Sequence, residues 1–100
     1  MREIAADIKA RLDKASSLDD VGLTPQRMTD VFKQEYGVTP KKYADSLRLR
    51  TAKEMLARLP EKVIDVAYQA GFSSLAAFNR FFKQQTGQTP TAYRKEHQVL

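Results

Sequence analysis

Three side chains with hydrogen-bonding head groups lie within five positions of one another, at Asn79, Arg80 and Lys83. At 100° per residue they share one face of a predicted helix with Ala76. The opposite face is aromatic and consists of Phe78, Phe81 and Phe82. An amide can pair with adenine, a guanidinium with guanine, and an ammonium with phosphate. This face therefore predicts contact with duplex nucleic acid, and an ordinary solvated helix face is the alternative.

An earlier helix repeats this geometry. It is predicted to begin with Thr24 as N-cap and Pro25 in the first position. Its inward side chains are Met28, Val31 and Phe32, and its outward ones are Gln26, Thr29, Asp30 and Lys33, with Arg27 on the flank. Asp30 takes the place of Arg80. Phosphates repel such a carboxylate unless it accepts from a cytosine amino group, orients a neighbour, caps the helix or pairs with Arg27.

The two predicted helices end in similar sequences. "FKQEYGVTPKKY" at 32–43 and "FKQQTGQTPTAY" at 82–93 agree at seven of twelve positions. In each copy a Gly can end one helix in the left-handed conformation, and a Thr-Pro pair can start the next. The chain therefore repeats one helix-to-helix junction.

Composition narrows the class of protein. The formal charge is +5, from 17 basic and 12 acidic side chains, which favours a polyanionic partner. No cysteine is present, His97 is the single histidine, and the adjacent pair Asp19–Asp20 fits a helix start. We therefore expect no metal, no cofactor and no catalysis. No apolar run approaches the ~20 residues of a membrane span.

Helical periodicity throughout predicts an all-α fold of seven helices. They are expected at 2–14, at "SSLDD" from Ser17, at 24–36, 40–58, 61–70 and 74–85, and from Pro90. The expected domains are a first helix-turn-helix subdomain at 1–38 with a short helix before its turn, a linker helix at 39–58, and a second helix-turn-helix subdomain at 59–100. A helix of about 18 residues is roughly 27 Å long. That length suits two reading helices placed near the ~34 Å of one DNA turn.

The stretch "VIDVAYQAGFSSLAAFNRFFKQQTGQTPTAYR" strongly resembles the C-terminal signature of the AraC/XylS family of bacterial transcription regulators. "GLT…VFKQEYGVTPKKYADSLRLRTAKEML" resembles the first helix-turn-helix and linker helix of that family, so the resemblance covers about residues 17–95. It implies two helix-turn-helix units that bind adjacent major-groove segments of double-stranded DNA as a monomer. It also implies a cytoplasmic regulator, usually an activator, with RNA polymerase as a candidate partner. The chain would be either a segment of a longer regulator or a small stand-alone one.

Carried over position by position, the resemblance implies two sets of DNA contacts. The base-reading positions are Gln26, Thr29, Asp30, Leu75, Ala76, Asn79 and Arg80. The implied phosphate contacts are Lys33, Thr39, Lys83, Thr89 and Arg94. The charge and position of Arg27 and Lys41 add these two to the expected phosphate contacts.

One departure from the family pattern keeps a second class of protein open. Before "GLT" the family has a full helix, whereas "SSLDDVGLT" leaves room for about one turn. This short helix, the carboxylate of Asp30 and the apolar pair Leu75–Ala76 favour a helical protein-interaction module that has lost DNA binding. Salt-dependent affinity for duplex DNA distinguishes the two classes.

Overall fold

The computed structural model describes residues 1–14 and 16–98. All regular structure in these residues is helical, as predicted, but there are six helices rather than seven. They are α1 (Arg2–Asp13), α2 (Pro25–Tyr36), α3 (Pro40–Arg58), α4 (Val63–Gln69), α5 (Leu75–Thr86) and α6 (Pro90–His97).

The chain divides into two compact units. Unit 1 runs from Met1 to Leu47 and unit 2 begins at Arg48, so α3 contributes its first part to unit 1 and its second part to unit 2. The expected division into 1–38, 39–58 and 59–100 stays a prediction. Its first and last segments include residues 15, 99 and 100, which lie outside the described range.

The missing helix is the one predicted at "SSLDD". The hydroxyl of Ser17 accepts from the N–H of Asp19 at 3.0 Å, which closes a local turn instead of capping a helix. The guanidinium of Arg11 donates to the carbonyl of Ser17 at 3.0 Å and to the carboxylate of Asp20. The contact with Asp20 raises the pKa of Arg11. The prediction was wrong because a single turn is too short to offset helix nucleation, and α1 holds the segment in another conformation.

Unit 1 is built on the packing of α1 against α2. Ala5 and Ile8 of α1 are buried, as are Val31 and Phe32 of α2. The Phe32 ring centroid lies 5.7 Å from that of Tyr43 in α3, whose hydroxyl donates to the carboxylate of Asp13 at the end of α1. The inward stripe predicted for α2 is thus confirmed at Val31 and Phe32, while Met28 is half-buried.

Unit 2 has its own core, formed by the second part of α3 with α4, α5 and α6. Its fully buried members include Leu56, Val66, Phe78 and Phe82. Tyr93 of α6 packs edge-on against Phe82, with ring centroids 5.3 Å apart. This core fixes which face of α5 is turned away from it.

The repeated junction forms the same local structure twice, as predicted. Gly37 and Gly87 end α2 and α5 with φ of 80° and 81°, the left-handed region that favours glycine. Each glycine N–H donates a hydrogen bond of 2.8 Å to the carbonyl oxygen four residues earlier. Thr39 and Thr89 then cap α3 and α6, because each hydroxyl accepts at 3.1 Å from the N–H three residues later. The repeated sequence therefore determines where α2 and α5 end and where α3 and α6 begin.

The inward face of α4 differs from the prediction at one residue. From the sequence, Val63, Ile64 and Ala67 are predicted to pack on the following helix. Ala67 is buried and Val63 half-buried, but Ile64 is 39% exposed, and Val66 is buried in its place. In this seven-residue helix the core lies nearer the side of Val66 than the apolar pattern indicates.

Candidate nucleic-acid interface

Helix α5 is the element that positions Asn79, Arg80 and Lys83. The hydroxyl of Ser74 caps its start by accepting from the N–H of Ala77 at 3.1 Å. Phe72, in the turn before α5, lies 5.3 Å from Phe78 and 4.9 Å from Phe81 between ring centroids. The predicted aromatic stripe is thus confirmed, with Phe81 half-buried between core and surface. These contacts fix the orientation of α5 about its own axis and so determine which of its side chains face outward.

The outward face of α5 is exposed at Ala76, Asn79, Arg80 and Lys83. The side chains of Asn79, Arg80 and Lys83 have no hydrogen-bond or ion-pair partner among the described residues. Leu75 is different, because it is half-buried and packs against the core of unit 2. The structure therefore brings one amide and two cationic groups together on a single free face, with Leu75 at its edge.

The outward face of α2 is already engaged in hydrogen bonds. Gln26 Nε2 donates to Asp30 Oδ1 at 3.0 Å. The Thr29 hydroxyl donates to the carbonyl of Pro25 at 3.0 Å, so its proton is used within the helix. Sequence reasoning left Asp30 with four alternatives, and the partner that the structure gives it is the neighbour Gln26. This face therefore presents an ordered pair, where α5 presents free groups.

Two cationic side chains flank that pair. Arg27 and Lys33 are exposed and have no side-chain partner in the described part of the chain. The backbone N–H of Arg27 donates to the Thr24 hydroxyl at 3.2 Å, the predicted cap of α2. Both cations are thus available to phosphates, as their assigned role requires.

The remaining predicted phosphate contacts have structural partners. Thr39 and Thr89 use their hydroxyl oxygens as helix caps, and Lys41 Nζ lies 2.9 Å from the carboxylate of Asp45. Arg94 donates through Nε to the carbonyl of Leu56 at 3.0 Å and through a terminal nitrogen to the carbonyl of Leu59 at 3.2 Å. The phosphate roles of these four residues stay predictions.

Arg48, one of the 17 basic side chains, has a contact that the sequence analysis did not predict. Its guanidinium carbon lies 5.5 Å above the ring centroid of Phe72, within cation–π range. The same side chain would lie 3.6 Å from a Cβ added at Gly71, whose φ is +97°. Arg48 thus lies against the turn between α4 and α5. Arg48 and Phe72 are 24 positions apart, and no local pattern in the sequence could have predicted this contact.

Charge is divided unevenly between the units. Unit 1 carries eight basic and eight acidic side chains, which cancel. Unit 2 carries nine basic and four acidic ones, which is the whole net charge of +5. The helix with the free cationic face belongs to the unit that holds the excess charge.

The described residues contain no group of three or more His, Cys, Asp or Glu side chains that could hold a metal ion. Nor do they contain a helix whose length and hydropathy would let it cross a membrane.

The arrangement of unit 2 defines a class of protein. Helix α4, a glycine turn and helix α5 with a basic outward face form a helix-turn-helix unit. A family model described as a helix-turn-helix domain matches residues 18–96. The chain belongs to the AraC-type helix-turn-helix family.

Relatives and solved structures agree with that membership. An uncharacterised HTH-type transcriptional regulator of Staphylococcus aureus (strain MSSA476) is 35% identical over 80 residues, which cover 80% of this chain and 11% of that protein. An AraC-type transcriptional regulator structure from Chromobacterium violaceum is 27% identical, with a TM-score of 0.73 over 95% of this chain and 88% of that one. The DNA-binding domain of AdpA, solved in complex with a target DNA, has the same fold at 23% identity, with a TM-score of 0.80 over 92% and 90% of the two chains.

This chain therefore spans about a tenth of the length of the staphylococcal protein that it matches.

Proposed function

We propose that this chain is a sequence-specific, double-stranded-DNA-binding domain of a transcription regulator, with α5 as its principal reading helix. The observation that carries the proposal is the free face of α5, where Asn79, Arg80 and Lys83 are exposed and without partners. The major groove of B-DNA admits an α-helix and displays a distinct set of donors and acceptors for each base pair. Small Ala76 near the start of α5 lets the helix approach the base edges.

The proposed roles of the α5 side chains follow from their chemistry. Arg80 donates two parallel hydrogen bonds to guanine, and Asn79 pairs with adenine. Lys83, one turn further along the helix, neutralises a phosphate as a point charge. Leu75 makes at most an apolar contact from the edge of the face. These assignments make α5 responsible for sequence preference and Lys83 for general affinity.

Helix α2 is proposed as the second reading helix. Gln26, Thr29 and Asp30 lie on the face assigned to bases, and Arg27 and Lys33 flank it as phosphate contacts. Unit 1 has no net charge and lacks the short helix predicted before α2, so α2 is expected to contribute less affinity than α5. That the chain contains two complete helix-turn-helix units is part of this proposal and is drawn from the family resemblance.

The wider biological role extends the same proposal. A family member of this kind would act as a monomer in the bacterial cytoplasm, most often as an activator, and RNA polymerase is the partner class that an activator engages. Family membership supports a role in transcription regulation, and the AdpA domain of the same fold, which was solved on DNA, supports duplex DNA as the partner.

The structure adds one observation to those that favour the alternative, a helical protein-interaction module. Ile64 and Tyr68, one turn apart on α4, are 39% and 54% exposed. Neighbouring exposed apolar side chains form a patch of the kind that can mark a protein contact.

Random-site selection tests the proposed function. The domain is incubated with a library of duplexes containing a randomised segment, and the bound fraction is sequenced over several rounds. The proposal expects a defined consensus that the purified domain binds at least ~10³-fold more tightly than random duplex. A library that stays random, with no duplex binding at low salt, would favour the interaction module.

A further inference from the structure

The two proposed reading helices differ in how their amide side chains are held. On α5 the amide of Asn79 has no partner among the described residues. On α2 the amide of Gln26 donates to the carboxylate of Asp30 at 3.0 Å, four residues along the same exposed face. An inference about Asp30 follows from this pair, and it rests on the proposed function.

Chemistry settles which end of the Gln26 amide meets Asp30. A carboxylate only accepts hydrogen bonds, whereas an amide has a donor end and an acceptor end. The NH₂ end of Gln26 must therefore face Asp30, and the carbonyl oxygen Oε1 is left without a partner in the described part of the chain. A glutamine without such a neighbour has two nearly equivalent orientations about its last torsion angle. Asp30 selects one of them.

We propose that Asp30 is a positioning residue that sets the base preference of Gln26. With Oε1 presented to the major groove, Gln26 accepts from an exocyclic amino group, and its second N–H can still donate to a purine N7. This combination matches adenine, which offers the N6 amino group beside N7. Guanine offers two acceptors, N7 and O6, and is disfavoured because Oε1 would face O6.

The position assigned to Asp30 also allows two competing roles. A carboxylate near phosphates could act only as a repulsive charge, which weakens binding to every sequence alike. It could also accept directly from a cytosine amino group, which changes base preference without help from Gln26. The three roles differ in how the effect of Asp30 depends on Gln26.

A double-mutant cycle with base substitutions tests the proposal. Affinity is measured for the selected consensus duplex and for duplexes with each of the other base pairs at the positions assigned to α2. The proteins are the wild type, Gln26→Ala, Asp30→Asn and the double variant. Glu35→Gln removes an equal charge from the same helix as a control, and thermal unfolding confirms that each variant is folded.

The expected result has two parts. The wild type prefers adenine over guanine at one base pair by about tenfold or more, and Gln26→Ala abolishes that preference. Asn can accept or donate, so Asp30→Asn holds either orientation of Gln26, and the preference should shrink severalfold toward equality. When Gln26 is already replaced by Ala, adding Asp30→Asn should leave the ratio of affinities for adenine and guanine unchanged. The control Glu35→Gln, made in the wild-type protein, should also leave this ratio unchanged.

Three results would overturn the inference while leaving the proposed function intact. Asp30→Asn could tighten all duplexes equally, as a repulsive charge predicts. Its effect on base preference could persist in the Gln26→Ala background, as a direct base contact predicts. Gln26→Ala could leave every base preference unchanged. A wild-type domain that selects no consensus at all would instead overturn the proposed function, and the inference with it.

Discussion

Arg94 Nε donates to the carbonyl oxygen of Leu56 at 3.0 Å, although the two residues are 38 positions apart. A second guanidinium nitrogen reaches the carbonyl of Leu59 at 3.2 Å. Helix α3 ends at Arg58, so Leu56 belongs to the last turn, whose carbonyls have no partner within the helix. Arg94 of α6 thus caps the end of α3.

The first prediction is that Arg94→Ala destabilises the domain by about 1–3 kcal/mol, because two charge-assisted hydrogen bonds to backbone carbonyls are lost. For a domain of this size each kcal/mol lowers Tm by roughly 4–8 °C. Circular dichroism during thermal unfolding measures the shift. Lys95→Ala is the matched control, since Lys95 is exposed and its side chain has no partner in the described residues. Equal Tm values for the two variants would contradict the capping role.

The second prediction concerns stability at alkaline pH. The hydrogen bond from Tyr43 to Asp13 raises the pKa of Tyr43 above its usual 10.0, and contact with Tyr43 also raises the pKa of Lys9 above 10.5. Both groups favour their protonated forms in the folded state. Their contribution is therefore complete below pH 10 and is lost as pH rises through the raised pKa values.

Tyr43→Phe keeps the ring beside Phe32 and removes the hydroxyl. We expect it to cost about 1 kcal/mol at neutral pH and to flatten the decline in unfolding free energy above about pH 10. Urea unfolding at a series of pH values measures both effects. If the wild type and the variant lose stability in parallel above about pH 10, the Tyr43–Asp13 contact does not contribute as described.

The third prediction separates two residues of α5. Arg80→Ala should weaken binding to the selected site by roughly 1–3 kcal/mol and relax the preference at one base pair. Lys83→Ala should weaken selected and random duplexes by the same factor and reduce the salt slope by about 1. Lys95→Ala controls for the loss of a positive charge outside this face. Equal losses on selected and random duplexes with Arg80→Ala would make Arg80 a phosphate contact.

Local sequence signals were sufficient where both partners lie within one helix or junction. The Gly, Thr and Pro of the repeated junction each impose a backbone conformation or a cap within four residues. The left-handed glycines and threonine caps at Gly37, Thr39, Gly87 and Thr89 could therefore be predicted. The exposed face of α5 could be predicted as well, because the aromatic stripe on the opposite side of the helix indicates which side is buried.

The same signals failed where a distant residue competes. Ser17, Asp19 and Asp20 form a good local helix start, but Arg11 binds Asp20 and the Ser17 carbonyl across the turn. The hydrogen bonds from Arg94 to the carbonyls of Leu56 and Leu59 could not be predicted, because the partners are 38 and 35 positions apart in the sequence. The phosphate role that the family resemblance implies for Arg94 stays a prediction. The Gln26–Asp30 pair lies between these cases. Its four-residue spacing permits the contact, but spacing alone could not choose among the alternatives for Asp30.

The central claim, that this domain is a duplex-DNA reader, is tested most directly by the salt dependence of its affinity for duplex DNA. Each phosphate neutralised by a Lys or Arg contributes a slope of about −0.9 to log affinity against log salt concentration. With about five to eight such contacts, we expect affinity to fall by at least ~10²-fold between about 50 and 200 mM salt. A flat response, or no binding at the lowest salt concentration, would contradict the claim.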